Sequence, residues 1–275
     1  MGFSIRTNVS SLVAQTNLER TQVALDSSQA KLSSGLRITK AGDDAAGLGI
    51  STSLEANISS YGQAARNAND GIGIVQTAEG ALNETTNLFN RLRQLAVQSA
   101  SDGVGSTERG YINSEATQLT GEVDRIANST EYNGSKLLAA TGTTLDFQVG
   151  IRNVASNDRI SVNSIDATSA TLLTAAVDLS SKGGAQTAIG NIDTALQSVS
   201  SARATFGAAG NRFASALNTI ATASQNLSAA DARIRDVNVA EESSNASRLS
   251  VLVQAGVSVL SQANQGTQAL LKLLQ

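Results

Sequence analysis

Residues 54–96 read LEANISSYGQAARNANDGIGIVQTAEGALNETTNLFNRLRQLA. Leu54, Ile58, Tyr61, Ala65, Ala68, Ile72, Val75, Glu79, Leu82, Thr86, Phe89, Arg93 and Ala96 are separated by alternating steps of four and three. That is a heptad rhythm, the mark of an α-helix with one apolar stripe. Glu79, Thr86 and Arg93 leave the stripe unsealed. The pattern predicts a helix over about 45–99, roughly 80 Å long at a rise of 1.5 Å per residue. A helix of that length with so narrow a stripe needs partner helices.

Downstream, SDGVGS breaks the pattern. Ile112, Leu119 and Ile126 mark a shorter helix over about 106–130, which Asn133-Gly134, a strong turn pair, stops. Periodicity then changes to two. Leu145, Phe147 and Val149 alternate, as do Ile160 and Val162, so a small hairpin is predicted near 140–165. Residues 166–184 read as irregular. Ile189, Ile192, Leu196, Val199, Arg203, Phe206, Gly210, Phe213, Leu217 and Ile220 restore the four–three rhythm in a helix over about 185–234, able to run antiparallel to 45–99.

The chain ends carry their own stripes. Ile5, Val9 and Leu12, then Leu18, Leu25 and Leu32, line a helix over 4–34. Leu249, Val253, Gly256, Leu260, Ala263, Thr267, Leu270 and Leu274 step four and three through a C-terminal helix. Leu252, Val259, Leu271 and Leu273 widen its face. Each fully buried Leu or Val stabilises by about 1.5–3 kcal/mol, and the same face left in water favours aggregation. The terminal helices are expected to pair within the chain and to need other copies for their remaining faces. The fold class expected is mainly α: a long antiparallel helical bundle or coiled-coil rod with a small β-hairpin region, its terminal helices pairing as an inner domain.

Composition narrows the chemistry. The 275-residue chain has a net charge of −3 and only 16% charged residues, which points to neither nucleic acid nor an anionic membrane. With no histidine and no cysteine, zinc clusters, thiol nucleophiles and histidine triads are excluded. Proline and tryptophan are absent and aromatics make up 3%, so the core must be Leu, Ile, Val and Ala, which suits close-packed helices. No stretch is apolar enough to span a membrane. The N-terminal residues lack a secretory signal pattern, and Gly2 is no myristoylation site because position 6 is Arg. The acidic pairs Asp43-Asp44 and Glu241-Glu242 are read as helix caps or solvated surface.

Five stretches carry a more specific signal: SIRTNVSSLVAQTNLERTQVALDSSQAKLSSGLRITKAGDDAAGLGIS at 4–51, NRLRQLAVQSASDG at 90–103, EVDRIANSTEYNGSKLL at 122–138, FQVG at 147–150 and ARIRDVNVAEESSNASRLSVLVQAGVSVLSQANQ at 232–265. In these motifs and their order the chain resembles bacterial flagellin, in a short, core-only form. The resemblance implies a structural subunit that polymerises into the flagellar filament for swimming, with no enzymatic activity and no cofactor. The metallopeptidase insert of certain flagellins needs histidines, which this chain lacks.

The resemblance also implies a domain plan: 1–44 and 236–275 as the two parts of an inner, filament-core domain, and 45–235 as a helical rod. Inner-tube packing would then fall to Ile5, Val9, Leu12, Leu18, Leu25, Leu32, Leu249, Val253, Leu260, Leu270 and Leu274. Arg91, Leu95, Gln98 and Glu115 would face the adjoining subunit and an animal Toll-like receptor. Implied partners are further copies of the chain, the flagellar type III export apparatus and a secretion chaperone, the filament cap and hook-associated proteins. The implied location is the extracellular flagellum, reached without a cleaved signal peptide. Two other readings are a hook–filament junction or minor flagellin-like protein, and, in another class, a soluble helical adaptor or signalling coiled coil.

Overall fold

The computed structural model describes residues 7–139 and 142–273, with side chains through Gly266 at the C-terminal end. The elements run α1 (Val9–Ser34), α2 (Ala45–Ser99), α3 (Ser106–Ser129), β1 (Glu131–Tyr132), β2 (Ser135–Lys136), β3 (Thr144–Gln148), α4 (Ala155–Asp158), β4 (Arg159–Asn163), α5 (Ser169–Leu172), α6 (Lys182–Arg235) and α7 (Val239–Leu273). The long helices and the β3–β4 hairpin fall where the sequence patterns put them. The turns α4 and α5, four residues each, are additions, the first in the link between the predicted strands and the second within the stretch expected to be irregular. Two compact units result: 1–56 with 226–275, and 57–225.

In the larger unit the buried line along α2 is Ala64, Ala68, Gly71, Val75, Ala78, Leu82, Thr85, Phe89, Leu92, Ala96 and Ser99. Along α6 it is Ala185, Ala188, Ile192, Ala195, Val199, Ala202, Phe206, Ala209 and Phe213. Both are unbroken heptad lines. Each agrees with the sequence reading at every seventh residue, as at Val75, Leu82 and Phe89. At the alternating positions the true seam lies one residue earlier, on Ala78 and Leu92 rather than Glu79 and Arg93. The seam is thereby sealed with small side chains, and the charged residues sit at its rim, where Arg93 donates to Asp193 at 2.7 Å. That bond holds the Asp193 carboxyl below its ordinary pKa. Small residues let two helices approach closely while burying little area each; Phe89, Phe206 and Phe213, all essentially inaccessible, supply the bulk.

At Gly71 an added methyl would overlap the ring of Phe213. Phe147 of β3 meets the same ring edge-on, with centroids 5.4 Å apart and an interplanar angle of 87°. Asn67 of α2 donates to the Gln148 carbonyl at 2.9 Å. Together these contacts fix the hairpin against α2 and α6. Gly71→Ala should therefore destabilise this unit by about 1–2 kcal/mol in urea unfolding, overpacking of about 1–3 kcal/mol outweighing about 1 kcal/mol of helix propensity. Gly80→Ala, where a methyl meets nothing within 4 Å, should stabilise by about 0.5–1 kcal/mol. Equal effects at the two sites would remove the packing explanation.

In the smaller unit α1 and α7 pair antiparallel. Asn8 accepts from the Ser11 amide as helix cap and donates to the Ala263 carbonyl at 3.0 Å. Ser11 bonds Asn264 at 2.8 Å, and at the other end Ser28 donates to the Glu242 carboxylate. Gly35, at φ 72°, ends α1 in the left-handed conformation that glycine adopts freely. The segments beyond the two helices then pair as a short ribbon. Leu36 bridges Asp236, the Arg37 amide donates to the Arg235 carbonyl at 2.6 Å, and the Val237 amide donates to the Gly35 carbonyl at 2.9 Å. The Arg37 guanidinium reaches the Ile234 carbonyl near the end of α6 at 2.6 Å, a favourable place for a cation. Asp44 accepts from the Gly47 amide at 2.8 Å and caps α2, while Asp43 takes both Thr39 donors and the Lys40 amide, which lowers its pKa.

Candidate assembly faces

The α1/α7 pair has two apolar faces. The first is internal. Leu25 and Leu249 are buried, and Leu18, Leu32, Val253 and Leu260 are half-buried. Leu18 lies against Gly256, whose missing side chain makes room: a Cβ there would sit 3.1 Å from Leu18 Cδ1. Six of the predicted packing residues are thus brought to this pair of helices.

Val9 and Leu12 are not part of it. Spacing placed them in the stripe, but they are 62% and 61% exposed. At that end of the pair, polar side chains occupy the interhelical line: Asn8 and Ser11 face Ala263 and Asn264. Because Ser11 takes the inward position, its neighbour Leu12 is turned outward. Ile5 and Leu274 lie outside the described residues, and Leu270 falls where the backbone alone is described.

The second face is external and broader than the stripe readings implied. Among the described residues thirteen large hydrophobic side chains are markedly exposed, and nine of them are on these two helices: Val9, Leu12, Val13, Val23, Val239, Val251, Leu252, Val257 and Val259. Leu252 and Val259 were legible in the sequence as residues flanking the heptad line. Val9 and Leu12 were assigned to the inner stripe, and the other five went unread because a stripe argument finds the inner face of a helix, whereas two-sided burial shows only as a helix apolar over most of its circumference.

The second candidate face lies on α2 and α3. The Arg91 guanidinium donates through Nε and Nη2 to Glu115 Oε1, at 3.0 and 2.8 Å. Both side chains remain about half exposed, 51% and 45%. Gln98 is exposed on α2, two turns on. Leu95 does not join them. It is 2% exposed and packs in the core, because the seam drift that moves burial from Arg93 to Leu92 also carries Leu95 inward. Its predicted place in an exposed patch is therefore corrected.

No group of His, Cys, Asp or Glu among the described residues is arranged to hold a metal ion, and no helix there is long and apolar enough to cross a membrane.

Comparison with known proteins gives these faces their context. Residues 5–143 match the family model described as the bacterial flagellin N-terminal helical region, and residues 189–274 match that of the bacterial flagellin C-terminal helical region. A flagellin of Halalkalibacterium halodurans is 42% identical over 259 residues, covering 94% of this chain and 93% of the relative. The flagellar filament 33 kDa core protein of Treponema phagedenis is 36% identical over 285 residues, covering 98% and 99%. Among solved structures, the crystal structure of Bacillus cereus flagellin aligns with a TM-score of 0.51 and 32% identity, over 56% of this chain and 88% of that one. A flagellar hook-associated protein from Vibrio parahaemolyticus, 13% identical with a TM-score of 0.59, shares the fold over 70% of this chain. With two family matches in order and full-length relatives on both sides, the chain belongs to the bacterial flagellin family.

Proposed function

We propose that this flagellin assembles through the outward apolar face of α1 and α7. Family membership makes the chain a structural subunit of the extracellular flagellar filament, self-assembling and not an enzyme. The observation that carries the proposed route is the concentration of exposed Val and Leu on these two helices. A surface so apolar is costly in water and is stabilised when further copies cover it. On this reading residues 1–44 and 236–275 form the filament core, and 45–235 form the surrounding rod. Val9 and Leu12 then pack between subunits, while Leu18, Leu25, Leu32, Leu249, Val253 and Leu260 hold the pair together within one.

Export through the flagellar type III apparatus without a cleaved signal, escort by a secretion chaperone, and contact with filament cap and hook-associated proteins belong to the same proposal. They rest on the family resemblance. Hydrogen exchange tests the assembly face directly: α1 and α7 should exchange quickly in the monomer and slowly in the filament. Strong protection of both helices in dilute monomer would count against it.

Arg91, Gln98 and Glu115 are proposed as a contact surface for the adjoining subunit and for an animal Toll-like receptor. The Arg91–Glu115 pair is half-exposed, so within the monomer it contributes only about 0–1 kcal/mol. Its removal should cost far more where a partner excludes water, about 2–5 kcal/mol. Arg91→Asp should therefore weaken seeded filament growth and receptor-reporter signalling together, with the monomer melting within about 4 °C of wild type. Unchanged growth and signalling would place Arg91 outside both contacts. Leu95→Ala is no test of this surface, since it opens a core cavity.

A further inference from the structure

The turn joining β1 to β2 is two residues long, Asn133 and Gly134, at φ 49° and 79°. Both are exposed. This is the pairing a tight hairpin turn demands, since both positions need left-handed backbone. It also juxtaposes a carboxamide with the least hindered backbone nitrogen in the chemistry of proteins. We propose that Asn133–Gly134 is a site of spontaneous amide-to-acid conversion in this flagellin.

The reaction needs only water. The Gly134 amide nitrogen loses its proton to hydroxide and attacks Asn133 Cγ. The new N–Cγ bond closes a five-membered imide, the Cγ–Nδ2 bond breaks, and the amide nitrogen leaves as ammonia. Water then adds at one of the two imide carbonyls and cleaves its bond to nitrogen. Cleavage at Cγ gives aspartate, and cleavage at the backbone carbonyl gives isoaspartate, whose main chain runs through the side-chain carbon.

Three observations single this asparagine out. It is the only one in the chain followed by glycine, and nothing lies within 4 Å of where a Gly134 Cβ would be. The three asparagines followed by serine are restrained: Asn113 accepts from the Leu179 amide, Asn128 donates from Nδ2 to the Asp124 carbonyl within α3, and Asn163 accepts from Thr144 in the β3–β4 ladder. The Asn133 carboxamide, by contrast, has no hydrogen-bond partner among the described residues.

The product would not be silent. Asn133 lines an open cleft with Asp70, Asp146 and Tyr132, so the new carboxylate joins two others there. Isoaspartate also lengthens the backbone of a turn that sets the register Glu131↔Lys136 and Tyr132↔Ser135. That register delivers Leu137 and Leu138, both fully buried, into the core.

The test follows the full-length monomer at mildly alkaline pH. Trypsin releases Ile126–Lys136 and Ile160–Lys182, which carry Asn133 and Asn163. Mass spectrometry should show the first peptide acidifying several-fold faster than the second. Isoaspartate methyltransferase should label it, and the rate should rise with pH. Because that peptide also holds Asn128, Asn133→Gly provides the control, keeping a turn-competent residue while removing the amide; its peptide should stay unchanged. Acid gain persisting in Asn133→Gly, or Asn133 lasting as long as Asn163 in the wild type, would overturn the assignment.

Discussion

A chain shortened to end at Leu249 keeps its rod and loses the ability to extend a filament. The deletion removes Val251, Leu252, Val257 and Val259, all about half exposed on the outward face of α7. If neighbouring subunits finish burying them, each contributes about 1 kcal/mol, and the four together about 4 kcal/mol, roughly a thousandfold in subunit affinity. The same cut strips cover from Leu18, which rests on Gly256. Residues 57–225 form their own compact unit and lose nothing. Circular dichroism should retain most of the helical signal while seeded growth stops. Filaments of ordinary appearance from the shortened chain would show that the outward face is not the assembly surface.

The second large effect is expected at Phe213. Its ring is fully buried against Gly71 and meets Phe147 edge-on. Phe213→Ala leaves a cavity that neither backbone nor hairpin can fill without shifting, at a cost of about 3–5 kcal/mol. For a unit of this size that lowers Tm by about 6–20 °C. Scanning calorimetry of the monomer measures it. A shift below about 2 °C would mean the site collapses without strain and that the ring does not anchor the hairpin.

Element type and order were legible along most of this chain because each long helix repeats one rule many times. The hairpin was legible because apolar residues alternate along both strands, with Ile160 and Val162 buried and Leu145 and Phe147 half-buried. The alternating seam position was not. Glu79 and Ala78, or Arg93 and Leu92, are adjacent, and a helix of 3.6 residues per turn lets either satisfy a three–four rhythm. Choosing between them needed the identity of the opposing residues, such as Phe213 against Gly71. Leu95 was placed in the contact patch by the family resemblance alone, and the structure buries it. At the ends of the chain the error was of another kind. Apolar spacing favours Val9 and Leu12 for the interhelical line, yet Asn8 and Ser11 hold it through specific hydrogen bonds to α7. Such bonds leave no periodic trace. The external face needed exposure values, since an outward valine and an inward one look alike in sequence.

The pairing of α1 with α7 joins residues far apart in sequence: the Ser28–Glu242 bond spans 214 positions and the Asn8–Ala263 bond 255. Synthesis runs from the N-terminus, so α1 leaves the ribosome long before its partner exists. Alone, a stripe interrupted by Thr, Gln and Ser makes a marginal helix. Every contact between the two helices must wait for closure of a loop comprising most of the chain, which makes this the slowest-forming part of the fold. Throughout translation the first helix is consequently an open, apolar segment, accessible to whatever meets the nascent chain, while residues 57–225 can already fold without it.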